Sequence, residues 1–400
     1  MRSLLKYEIL KLIKKRVICL MIVILTVVNA LQVYLVYNSN HSQKEIESAY
    51  AAVYEKVKGP FTSSKIDFVI SNYNKNKLKV QKGQYDPDSI DLGTYTGHIF
   101  GDMGLFYQIK EKMNRLYGYQ NNNEKIVEAA KENIDFYSDI AKQNEVLINN
   151  DIAKRYSNRN IKAFYDTEGF EMYFHVTVSM LFIMMIIAMS ISSIISDEYE
   201  SSMYYIIKAS AVGFNKLKSV KLLAAIIFSS VIYLIFRVLN LVYFSIFFKL
   251  DSWLMPVYSL KGFEFTQLNI NVLEFVLVDF LCGYLAILIF TLTIFLFAGI
   301  SKSGFISFII SCTITGLFVA FMEFFDIDSF VLAPFHLTNV SNIVKEYSSI
   351  IIGNRVIPGL NIEIMYSVLI ICILIGMNLI VNNLCCKHNK KDEHNVNIKL

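Results

Sequence analysis

Residues 172–221 read MYFHVTVSMLFIMMIIAMSISSIISDEYESSMYYIIKASAVGFNKLKSVK, and their reading decides the fold class. From Met172 to Ile195 there is no Asp, Glu, Lys or Arg, over a run longer than the roughly 20 residues a helix needs to cross the hydrocarbon core of a bilayer. That run predicts a membrane span. The segment behind it, Ser196 to Lys221, sets Asp197, Glu198 and Glu200 where a short helix would begin and favour its positive N-terminal end. The apolar run Met203-Tyr204-Tyr205-Ile206-Ile207 follows, then a Gly213 stop and Asn215 as cap of the next helix. Two readings of the segment stand: a solvated loop whose apolar residues rest in the lipid interface, and an amphipathic helix that docks a cytoplasmic partner.

The rest of the chain agrees with a membrane protein. Of its 400 residues 54% are hydrophobic and only 18% charged, a composition hard to dissolve as a globular protein. The net charge of +4 carries no nucleic-acid footprint. All six cysteines (Cys19, Cys282, Cys312, Cys372, Cys385, Cys386) fall inside or at the ends of hydrophobic segments, which argues for small apolar side chains rather than a disulfide framework. Cys385-Cys386 with His388 lacks the second ligand pair of a zinc site, so no metal and no cofactor is expected.

Residues 1–16 form a cationic, amphipathic leader with Leu4, Leu5, Ile9, Leu12 and Ile13 near helical spacing, and 17–37 is the first span. A cleaved signal peptide ending near Val28-Asn29-Ala30 is the competing reading, but apolar residues continue to Tyr37. Residues 38–171 change to a polar composition with 18 basic and 19 acidic residues. This is a separate domain, with helices expected at His41–Lys58, Ser63–Lys82, Phe100–Tyr117, Glu124–Lys142 and Glu145–Phe164, and a main loop at Gly93–Gly104. Residues 172–384 hold spans two to six: Met172–Ile195, Leu222–Phe247, Leu273–Ala298, Gly304–Phe324 and Ile364–Leu384. A polar tail, 385–400, follows. The fold class is an all-α integral membrane protein, six transmembrane helices with a mostly helical extracellular domain between the first and second spans.

Short-loop Lys and Arg counts set the orientation. Fifteen basic residues fall on the side of the leader, the 196–221 segment, the Gly299 turn and the tail, against four in the two opposite short loops. Both termini are therefore expected in the cytoplasm and the 38–171 domain outside.

No G-x-x-x-x-G-K-[ST] and no H-E-x-x-H occurs, and the six histidines are scattered. The sequence has no catalytic constellation: Ser301-Lys302-Ser303-Gly304 lacks the Gly two residues before the Ser that an intramembrane serine protease would carry. Charges inside spans are costly, so Arg237 and Asp279 stand out. They either pair across neighbouring helices, or Arg237 snorkels to the headgroups while Asp279 sits at the interface. Asn29, Gln32, Asn240 and His175 read as hydrogen-bonding groups between packed helices.

In this frame the chain resembles the permeases of ABC transporters of the type-two exporter class. Glu8, Lys11, Lys15 and Arg16 match the family's N-terminal connecting helix. Asp197, Glu198, Glu200, the apolar run through Ile207, and Lys221 match the loop that holds its coupling helix. Ser201-Ser202 replaces the Gly-Thr of many members, and Ala211-Val212-Gly213 stands where a Pro is usual. Pro334-Phe335 resembles the external re-entrant segment. The resemblance implies a transport subunit that is no enzyme itself. Its partners would be a cytoplasmic ATPase subunit that binds ATP and a second permease, identical or similar, in a bacterial cell membrane among its lipids. The ATPase would dock on Met203, Tyr204, Tyr205, Ile206 and Ile207, rimmed by Glu200 and Lys208, and the cargo would be hydrophobic or peptide-like. A membrane-anchored receptor or secretion-accessory protein, whose outer domain binds a peptide or protein, shares the layout of one span, an outer domain and several further spans.

Overall fold

The computed structural model describes residues 2–40, 44–84, 91, 93–176, 178–201, 203, 206, 214–301, 303–324 and 336–397. The leader forms α1 (Arg2–Ile13), and a short turn leads into α2 (Arg16–Asn40). The polar region builds α3 (Lys44–Val57), α4 (Ser63–Gln81), α5 (Ile99–Tyr117), α6 (Tyr119–Asp139) and α7 (Gln143–Tyr156), with β1 (Gly59–Pro60) paired antiparallel to β2 (Ala163–Phe164). Then come α8 (Glu168–His175), α9 (Val178–Glu200), α10 (Phe214–Phe248), α11 (Val272–Ser301), α12 (Gly304–Phe324), the short α13 (Val340–Val344), the hairpin β3 (Ser349–Ile352) and β4 (Arg355–Pro358), and α14 (Gly359–Asn397).

The chain is mostly helical, and among the described residues five stretches are long and apolar enough to cross a membrane: Arg16–Ser39, Glu168–Glu200, Lys216–Phe248, Val272–Ser301 and Gly359–Val381. The expected fifth span corresponds to α12, an apolar helix of 21 residues. Helix α11 packs against α9, α10, α12 and α14, and α1 lies along α10. Their core joins Ile183, Ile187 and Ile191 of α9 to Phe228 and Phe236 of α10, Phe290 and Phe295 of α11, and Leu12 of α1.

Several boundaries differ from those expected. The Met172–Ile195 run is not one helix, because Val176 is extended (φ −89°, ψ 103°) and separates α8 from α9. Phe170, Tyr173 and Phe174 of α8 join the core of the polar domain instead. Glu145–Phe164 is helical only to Tyr156: Asn158 takes a left-handed φ of 64°, and the chain then extends into β2. Gly101 and Gly104 lie within α5, so the loop ends at His98, where the buried Asp102 carboxylate accepts from Tyr95 N, Thr96 N and Thr96 Oγ1. The β3–β4 hairpin was not expected in an all-α chain. Its signal is present in Ile350-Ile351-Ile352 and Val356-Ile357 flanking Gly353-Asn354, a two-residue loop whose Gly353 takes φ 63°. Helix α14 continues to Asn397, through what reads as a polar tail.

The polar region is not a free appendage, since it shares one hydrophobic core with the 249–271 loop. The buried Arg159 guanidinium donates to Thr266 O at 2.8 Å and lies over the Tyr156 and Tyr258 rings at 4.2 and 4.9 Å. The Tyr119 hydroxyl donates to Glu264 O at 3.1 Å, and Tyr54 to Asp251 at 2.6 Å. On the other connection, Tyr347 donates to Asp151 of α7 at 2.8 Å. One helical body therefore grips the loops between α10 and α11 and between α12 and α14.

A charge cluster inside this body makes its stability depend on pH. Lys112 Nζ lies 3.1 Å from Asp166 Oδ1 and 2.9 Å from Glu168 Oε2, and the Tyr50 hydroxyl donates to Asp166 at 2.5 Å. Burial alone would push the Asp166 carboxyl up and the Lys112 ammonium down. Mutual attraction outweighs it, so Asp166 lies below its ordinary 3.8 and Lys112 above 10.5. The lowered acid contributes stability above its unfolded value that is lost as pH falls through the folded value. The raised base contributes stability below its unfolded value that is lost as pH rises through the folded one. Replacing Lys112 by Met is expected to lower the Tm at neutral pH by an amount that shrinks below pH 3.8 and above pH 10.5. Melting curves across that range check it; a constant difference would contradict it.

Candidate functional site

The site lies where α1, the end of α9 and the start of α10 meet. The acids Asp197, Glu198 and Glu200, expected where a short helix begins, lie just ahead of Met203 and Ile206, which are helical. They occupy the last turn of α9, where the backbone dipole presents negative charge and opposes them. Cations from other elements offset this. Lys221 Nζ of α10 lies 2.6 Å from Glu198 and 3.3 Å from Glu8 of α1, and donates to Ile194 O at 2.6 Å. Its side chain is only 1% exposed, so this is a buried three-charge contact that ties all three helices together. Lys15, in the α1–α2 turn, lies 2.8 Å from Asp197 and donates to Ser193 Oγ at 2.7 Å, with Lys11 3.8 Å from the same carboxylate. Arg16 opens α2 and is exposed. Asn215 lies within the first turn of α10 rather than capping it.

Glu200 closes the group differently. Its Oε1 accepts from Gly304 N at 2.9 Å, at the positive N-terminal end of α12. A Cβ on Gly304 would stand 2.7 Å from Ser196 Oγ, so a larger residue there requires the Ser196 hydroxyl to turn away. Beyond Glu200, Met203 and Ile206 are exposed; Tyr204, Tyr205, Ile207 and Lys208 lie outside the described residues. The apolar face is thus described at two of its five positions, next to a rigid charged base. Ser193 and Gly304 were not singled out from sequence, because nothing in an apolar run marks which serine or glycine meets a distant lysine or carboxylate.

Within the apolar stretches the structure brings Arg237 and Asp279 together. Arg237 Nη2 donates to Asp279 Oδ2, both side chains are buried, and the guanidinium lies 4.9 Å over the Phe280 ring. The two side chains thus pair across neighbouring helices. The amides of Asn29 and Asn240, expected to hydrogen-bond between helices, are buried without a partner, as is Gln32 Oε1. Hydroxyls on the same helices do find partners: Ser229 donates to Ala225 O, and Tyr233 to Phe280 O. No group of three or more His, Cys, Asp or Glu side chains is placed to hold a metal ion among the described residues. No protein-family model, curated protein or solved structure matches the chain.

Proposed function

We propose that the chain is the membrane-spanning permease subunit of an ATP-driven ABC exporter, with six spans, both termini in the cytoplasm of a bacterial cell and the 38–171 domain outside. Hydrolysis is supplied by a separate ATPase subunit, and two permeases form the path for a hydrophobic or peptide-like cargo. The observation that carries the reading is the Glu8–Lys221–Glu198 contact. A segment that receives force from a cytoplasmic engine has to pass it to the spans without yielding. Here the helix ahead of α2, the end of α9 and the start of α10 are locked by buried charges directly beside the exposed Met203 and Ile206.

Docking is apolar in this account, so a charge at its centre disrupts it. Tyr205→Asp and Ile206→Asp are each expected to abolish association with the ATPase and transport while leaving membrane insertion intact. Co-purification from membranes of each variant checks this, and undiminished ATPase recovery in both would sink the assignment of the docking face.

A further inference from the structure

Four buried side chains where α2, α8 and α10 meet carry polar atoms with no hydrogen-bond partner: Asn29 and Asn240, each 1% exposed, the hydroxyl of Tyr173, 2% exposed, and Nε of Arg237, 6% exposed. Ring contacts bring Tyr173 and Arg237 together, and helix register places the two amides beside them. The Tyr173 ring stands 5.6 Å from Phe244 and has the Arg237 guanidinium over it at 5.7 Å. Asn240 lies between Arg237 and Phe244 on the same face of α10, at three- and four-residue spacing. Helices α2 and α10 run parallel, since α1 lies along α10 near Lys221 at one end while Tyr34 and Tyr37 meet Phe247 and Phe248 at the other. Asn29 precedes Tyr37, and Asn240 precedes Phe248, by the same eight residues, so the two amides lie at one level.

Buried polar groups are nearly always satisfied, and most strictly so where no water reaches. A seam that leaves two amides, a phenol and a guanidinium nitrogen unsatisfied is complete only when something else enters it. Helix α2 can admit it: among the described residues its opposite face, with Leu20, Val23, Val27 and Leu31, is exposed. The chemistry of the visitor follows from the unpaired atoms. Arg237 Nε and both Asn Nδ2 groups donate, both Asn Oδ1 atoms accept, and the charge of Arg237 is already neutralised by Asp279. The seam therefore suits an uncharged group that both accepts and donates.

We propose that the α2–α8–α10 seam is a binding site for the backbone amides of an apolar peptide, entered when α2 moves away from α10. Its purpose as a cargo site rests on the permease reading; the binding itself does not. The probes are a doubly capped apolar dipeptide and its depsipeptide, in which oxygen replaces the internal N–H. They are titrated against the purified full-length chain in lipid nanodiscs, with no ATPase present. The dipeptide is expected to bind about tenfold tighter than the ester, the worth of one hydrogen bond. The internal N–H donates to one of the two amide oxygens, so either Asn29→Leu or Asn240→Leu should erase that preference, and the double variant must. Asn29→Ala and Asn240→Ala, which add no volume and no acceptor, serve if the Leu variants fail to fold. Equal binding of the two probes, binding of neither, or an unchanged preference in the double variant overturns the proposal. Amide preference in a chain that captures no ATPase would keep the site and discard the permease reading.

Discussion

Replacing Lys221 by Met is expected to destabilise the folded protein by about 3–5 kcal/mol, the cost of removing one partner from a buried ionic contact. The methionine keeps the apolar stem but leaves Glu8 and Glu198 facing each other in a buried junction, with Ile194 O also losing its donor. The loss is not the worth of a good interaction; it is the penalty of two carboxylates left without a cation. Adding Glu8→Leu and Glu198→Leu to the Lys221→Met chain should therefore recover most of the stability. It should not recover transport, because apolar residues restore packing without the directional lock between the three helices. Unfolding curves in detergent for the single and triple variants decide the first part. A Lys221→Met chain as stable as the parent would show that the contact holds nothing together.

The second large effect concerns Arg237 and Asp279. Either Arg237→Leu or Asp279→Leu alone leaves an unpaired charge among Tyr173, Phe280 and the apolar face of α11, and about 3–5 kcal/mol should again be lost. The double variant should lose far less than the sum of the two, because it removes both charges at once. A double-mutant cycle by reversible unfolding measures the coupling directly. Additive losses would mean that the two side chains act independently, against the geometry that places them in contact.

Much of the framework is legible in the sequence because the bilayer is a strict solvent. An uncharged run such as 17–37 or 280–301 has few other places to go. Arg237 and Asp279 stood out for the same reason, as charges where charge is expensive. What escaped is set by contacts between residues remote in sequence. The break at Val176 lies inside a continuous apolar run, and what ends the helix there is the packing of Phe170, Tyr173 and Phe174 into the polar body. The acids of residues 197–200 lie just ahead of a helical stretch, as their types suggest; that they also end α9, beside Lys15 and Lys221 supplied from elsewhere, is not marked in the sequence. The grip of Arg159 on the 249–271 loop follows the same pattern, since its partners there are backbone carbonyls that no side-chain pattern advertises.

The permease reading is tested most directly by solubilising the chain gently from its native membrane through a C-terminal tag and identifying what accompanies it. The account predicts a P-loop ATPase in stoichiometric amount, retained by the parent chain and lost from the Ile206→Asp variant. Recovery of a secreted or cell-wall protein with no ATPase would contradict it, and would move the functional site to the helical body of residues 38–171.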